Sequence, residues 1–156
     1  MFAFNEGVDL LVANTPNLKV EGTNFYGNAI AGAPALEKNS PFVQAKNIAN
    51  FTVSDGTNFQ FSVGDGTRGI VADGCLDMTL TNGVRFDSLK NSDKENAGGA
   101  AMSLIGSSAK IENVSFNNLK STKGPAIFSK DSKIDIGDVK FAKTQQDFKF
   151  GYTKDY

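Results

Sequence analysis

Four aspartates and two arginines bound the chemistry this chain can attempt. Asp55, Asp65, Asp73 and Asp77 fall in the same stretch as Arg68 and Arg85, the only arginines. Carboxylate oxygens converging from one face hold a hard cation such as Ca²⁺. Asp73 and Asp77 flank Cys75, and Asp55 stands at a turn, so these three are the Ca²⁺ candidates. The competing reading needs no ion. Asp55, Asp65 and Asp73 each precede a glycine, and Asp-Gly pairs make turns on their own. The expectation is therefore no metal site.

Other chemistries are poorly supplied. The chain has no histidine, the commonest acid/base group and metal ligand. With Cys75 as its single cysteine it can form neither an internal disulfide nor a thiolate or imidazole zinc site. Cys75 reads as a small buried hydrophobe. No phosphate-binding loop, nucleophile elbow or dinucleotide fingerprint is present. Ser107-Ser108-Ala109-Lys110 spells S-x-x-K, but at the start of an expected strand and without companion motifs. The sequons at Asn50 and Asn113 fit chance in a chain rich in Asn, Ser and Thr, and Asn113 sits at an expected corner. No catalytic residue and no cofactor is assigned.

The elements that would position any site come from a repeat. Aligned on phenylalanine, five copies run 18–25 (LKVEGTNF), 51–59 (FTVSDGTNF), 78–86 (MTLTNGVRF), 109–116 (AKIENVSF) and 134–141 (IDIGDVKF). Each has an alternating apolar pair, a short polar break, and a second alternating pair ending on Phe. Alternation marks a half-buried strand. The break shifts the phase, so one straight strand cannot bury both pairs and the chain must turn a corner there. Two strands meeting at a bend, five times over, describe one side of a β-solenoid coil. Phe25, Phe59, Phe86, Phe116 and Phe141 would then stack as an internal ladder.

The expected fold is all-β, a right-handed parallel β-helix of about five coils and on the order of 25 Å long at ~4.8 Å per coil. An antiparallel β-sandwich is the alternative. At 156 residues the chain reads as one domain, with core coils over about 8–141 and a terminal strand or cap over 142–156. Within that tail Phe148, Phe150 and Tyr152 alternate and form the candidate end cap. The Phe-to-Phe spacings are 34, 27, 30 and 25 residues, and nearly all of the variation follows the Phe. Residues 26–41, 60–68, 87–98 and 117–123 should thus emerge as loops along one longitudinal edge. Tyr26, Asn28, Asp65, Arg68, Lys90, Asp93, Lys94 and Glu95 are its candidate interaction residues.

A net charge of −1 gives no reason to expect nucleic acid as partner. The charge is polarised, however: residues 1–106 carry 7 Lys and Arg against 11 Asp and Glu, and residues 107–156 carry 9 against 6. No apolar run approaches the ~20 residues of a membrane-spanning helix. A basic segment followed by an apolar core is missing at the N-terminus, so the expectation is a cytoplasmic chain or a mature or excised segment.

Gly98-Gly99-Ala100, Gly124-Pro125-Ala126-Ile127 and Phe25-Tyr26-Gly27-Asn28 resemble the GGA-(I/L/V) and F-x-x-N motifs of chlamydial-type polymorphic outer-membrane proteins and related autotransporter passenger repeats. Gly98-Gly99-Ala100 departs in being followed by Ala101. The resemblance covers residues 18–141 as architecture. It implies a surface-displayed, adhesin-type β-helix of the pectin-lyase-like superfold, in an extracellular or cell-surface location. In pectin lyases of that superfold, clustered aspartates hold Ca²⁺ beside an Arg or Lys base.

The expected function is a non-enzymatic structural or adhesive β-helix, either a self-associating filament subunit or a surface passenger segment. Its partners would be itself, head to tail, or other surface proteins. An uncapped solenoid leaves unpaired strand edges at both ends, and the acidic and basic halves would meet in a heterologous stack. The alternative is a carbohydrate-active, pectin-lyase-like or glycan-binding β-helix, with glycan contacts through Tyr26, Tyr152 or Tyr156.

Overall fold

A computed structural model describes residues 1–3, 7–27, 41–94, 98–122 and 124–143, and the backbone of 151–153. Among these the chain forms strands and turns and no helix. It opens with β1 (Phe2–Ala3) and then repeats a three-strand coil. The first coil is β2 (Leu10–Ala13), β3 (Asn17–Glu21) and β4 (Asn24–Tyr26), and the second is β5 (Val43–Lys46), β6 (Asn50–Ser54) and β7 (Asn58–Gly64). The third is β8 (Ile70–Asp73), β9 (Asp77–Leu80) and β10 (Val84–Asn91). The fourth is β11 (Met102–Ile105), β12 (Ser108–Ile111) and β13 (Val114–Asn117), with β14 (Lys120–Ser121) beside the far end of β10. The fifth is β15 (Ile127–Lys130), β16 (Lys133–Ile136) and β17 (Val139–Ala142), and β18 (Gly151–Thr153) follows.

Every pairing is parallel, so the antiparallel sandwich is excluded and the fold is a parallel β-helix. Sheet A runs β1-β4-β7-β10-β13-β17, sheet B runs β2-β5-β8-β11-β15-β18, and sheet C runs β3-β6-β9-β12-β16. The repeat described above is the C-to-A passage of each coil. Its first pairs stack in register on sheet C, as Leu18, Phe51, Met78, Ala109 and Ile134 do.

The phase shift between the pairs has a backbone cause. Gly22, Asp55, Asn82 and Asn113, at equivalent corners, all take positive φ, which swings the next side chain to the opposite face. A second such column, Asn14, Asn47, Gly74, Gly106 and Asp131, makes the B-to-C corner. Asparagine serves there because its amide bridges the coils: Asn47 Nδ2 donates to Asn14 Oδ1 at 3.0 Å. Gly99 answers a different need, since a Cβ there would collide with the carbonyl oxygens of Met102 and Ala126.

Among the described residues the ladder has six rungs rather than five, because Phe2 stacks on Phe25. From Phe2 through Phe25, Phe59, Phe86 and Phe116 to Phe141, the ring centroids lie 4.8–5.2 Å apart and the planes differ by 4–11°. That spacing is the strand separation itself. The four middle rings are fully buried, whereas Phe141 keeps 41% exposure. Thr57, which follows Thr23 at an inward position that the later coils fill with valine, is fully buried and donates to the Ser54 carbonyl at 2.7 Å.

Removal of an internal rung should cost far more than removal of the last one. Phe86→Ala is expected to lose about 3–5 kcal/mol in urea unfolding, and Phe141→Ala about half of that or less. Equal losses would show that the rungs do not carry the core.

Candidate functional site: a cleft beside the A-to-B passage

Coil length varies where sheet A hands the chain to sheet B, and the buried polar residues Thr67, Arg68 and Asp93 lie there. The expected loop edge is narrower than its sequence suggested. Residues 60–64 extend β7 and 87–91 extend β10, paired to each other beyond the positive-φ residues Phe61 and Ser88. The ladder of hydrogen bonds continues because one residue in αL kinks the strand without ending it.

Two candidate edge residues are corrected by burial. Arg68 is fully buried and Asp93 is 5% exposed, so neither projects as a contact residue. Asp65, Lys90 and Lys94 are exposed, and Tyr26 is half-buried with its ring centroid 5.1 Å from that of Phe61. Asn28, Glu95, Phe148, Phe150 and Tyr156 lie outside the described residues, and of Tyr152 only the backbone is described.

Arg68 is an electrostatic oddity. Its Nη2 donates to the Asp65 carbonyl at 3.0 Å, while Nε and Nη1 are buried without a hydrogen-bond partner among the described residues. Burial drives its guanidinium down to about 10 from its ordinary value, against the weaker opposing pull of the Asp65 carboxylate. A cation so placed is a cost to folding.

The Ca²⁺ candidates do not converge. Asp55 is exposed at a C-to-A corner and accepts from Asn82 Nδ2 at 3.3 Å; Asp73 ends β8 on the outside of sheet B; Asp77 starts β9 on sheet C. Among the described residues no group of three or more His, Cys, Asp or Glu is placed to hold a metal ion. The S-x-x-K pair is likewise separated. Ser107 Oγ is buried and bonded to the Ile105 carbonyl at 2.8 Å, while Lys110 is exposed on β12 beside Glu112. Cys75 is fully buried, and that burial pushes its thiol up.

What the fold does assemble is a cleft of about 400 Å³ on the flank of sheet B. Its floor is the outer face of four successive strands, with Gln44 and Lys46 from β5, Val71 and Asp73 from β8, Ile105 from β11 and Phe128 from β15. Its wall is the A-to-B passage, contributing Thr67, Asn91 and Gly98.

Asn91 builds that wall. Its Oδ1 accepts from the N–H groups of Gly66 and Asp93, both at 3.0 Å, and its Nδ2 donates to the Gly98 carbonyl at 3.2 Å. One buried amide thereby ties the turn at Gly66, a coil earlier, to two points of its own loop, Asp93 and Gly98. Ser103 does the same on the floor, with its Oγ 2.7 Å from Thr67 Oγ1 and accepting from Gly99 N–H at 3.2 Å. Asn91 was not singled out in the sequence. The signal was local: an Asn two residues before Asp93, the spacing of an Asx-turn. Such a cleft pairs an aromatic and aliphatic floor with hydrogen-bonding and charged groups, the composition of a small polar-ligand site.

No family model, no curated protein and no solved structure matches this chain.

Replacing Arg68 by methionine should raise stability, by about 1–3 kcal/mol in urea unfolding at neutral pH. The pH dependence has a definite sign. The folded-state value lies below the unfolded one, so the unfolded chain holds more protons between them and wild-type stability rises with pH across that window. The advantage of R68M should therefore shrink as pH rises through about 10. A destabilised R68M would mean that the guanidinium is satisfied in solution.

Proposed function

We propose that this chain is a non-enzymatic structural or adhesive β-helix that acts by association, as a filament subunit or as a displayed segment of a surface protein. The observation that supports it is the condition of the ends. Among the described residues the inward columns of sheets C and A run at the C-terminal end to Ile136, 39% exposed, and Phe141, 41% exposed. At the other end Leu10, Val12 and Leu18 are only partly buried. Among the described residues, β2 and β3 at one end and β16 and β17 at the other have a neighbour on one side only. Apolar columns flanked by free strand edges promote association with another strand layer. Charge-polarised halves favour a head-to-tail sense.

The extracellular or cell-surface setting belongs to the same reading and rests on the motif resemblance. Sedimentation velocity across a wide concentration range, followed by negative-stain electron microscopy, tests it. Growth into elongated particles is expected, and a strictly monomeric species at the highest concentration overturns it.

A second reading, a glycan-binding module, is favoured by the sheet B cleft. The outward ring of Phe128 offers a stacking platform, with Gln44 and Asp73 on the same floor to pair with hydroxyls. Titration calorimetry with neutral and uronate oligosaccharides should then show binding that Phe128→Ala weakens by about tenfold, roughly 1.4 kcal/mol. Binding unaffected by that change would place the ligand elsewhere.

A further inference from the structure

The strand count of the three sheets defines how two copies can join. Among the described residues sheets A and B each carry six strands along their main path, whereas sheet C carries five. Copies stacked end to end must be offset by the same number of strand spacings in every sheet. An offset of six keeps all strands but leaves sheet C one strand short at the joint, a separation of ~9.6 Å where ~4.8 Å is needed. An offset of five closes sheet C, but β1 and β18 then occupy places that the neighbouring copy requires.

Those two strands are the shortest on the main paths of their sheets. Among the described residues β1, of two residues, pairs with β4 alone, and β18, of three, with β15 alone. Without them the body is five whole coils, β2 to β17, with five strands along the main path of each sheet.

We infer that the five-coil body joins a second copy of itself head to tail at an offset of five, and that β1 and β18 are plugs which must leave for the joint to close. This rests on the association reading above and assigns its geometry. The joint repeats the interfaces already present between coils. On sheet C, Leu18 of one copy would stand over Ile134 of the next, and Val20 over Ile136, continuing the columns of Phe51 and Val53. On sheet B, exposed Leu11 would meet the ring of Phe128. The outward row adds charge complementarity, since Lys19 would lie beside Asp135.

The experiment uses the full chain with Lys19→Cys and Asp135→Cys together. Both positions are exposed, and β6, β9 and β12 separate β3 from β16, so the two thiols cannot meet within one molecule. Adjacent in-register strands bring Cα atoms within disulfide reach, whereas an offset of six holds these two positions ~9.6 Å apart, beyond it. Oxidation is expected to yield a ladder of covalent oligomers, reversed by reductant. Adding Phe2→Ser with Tyr152→Pro and Thr153→Pro should raise the ladder's yield at least fivefold. Successive N–H groups of a strand face opposite edges, so two prolines remove the donor that faces β15 whichever it is.

Oligomers by sedimentation without the cross-link would overturn this joint and leave the association reading standing. No association in any variant overturns both. A ladder whose yield ignores the plug replacements overturns the role of β1 and β18.

Discussion

One strand spacing per coil is the constraint on which this molecule depends. Because each coil advances by the distance between hydrogen-bonded parallel strands, every residue lies directly over its counterpart in the preceding coil. Like therefore meets like. Phenylalanines stack at nearly the strand spacing with almost parallel planes, Asn58 Nδ2 donates to Asn24 Oδ1 at 2.8 Å, and Asn50 Nδ2 reaches Asn17 Oδ1 at 3.2 Å. A residue that fits one coil fits the next for the same reason, which makes columns the unit of stability.

The same constraint explains the strained backbone. A corner must recur at one position in each coil, so its left-handed conformation recurs even where the residue is poorly suited. Asn, Asp and Gly fill most of the two corner columns. In the third column, beyond the ladder, Phe61, Ser88, Asn118 and Lys143 all take φ near 50–56°. Phenylalanine and lysine gain nothing intrinsic there, and each such residue costs roughly 1–2 kcal/mol in isolation. Lateral pairing with the adjacent coils holds them in place.

Variation is tolerated only where it leaves the columns untouched. The A-to-B passage satisfies that condition, since extra residues can leave and return without shifting the register of any sheet. It is also where Asn91 ties the Gly66 turn to its own loop, where Arg68 is buried, and where the cleft opens. The passage thus carries the molecule's individuality, while the three sheets carry its regularity. The ends follow from the same arithmetic, because a body of whole coils presents at one end the surface that the other end lacks.

Much of the fold was legible in the residues themselves: the five phenylalanines, the phase break at each corner, the parallel solenoid, and the edge along which coil length varies. These signals are local, because a strand's alternation and a corner's Asn, Asp or Gly lie within a few residues of one another. Tertiary structure alone decided the rest. It made Phe2 a sixth rung, carried β7 and β10 past their kinks, and drew Arg68 and Asp93 inward although charge placed them on the surface. It also gathered Gln44, Asp73, Asn91 and Phe128 around one cleft and kept Asp55, Asp73 and Asp77 apart. The physical reason is separation along the chain. In a solenoid the lateral neighbours that fix burial and build a site stand a whole coil away, and that distance varies with each passage between sheets.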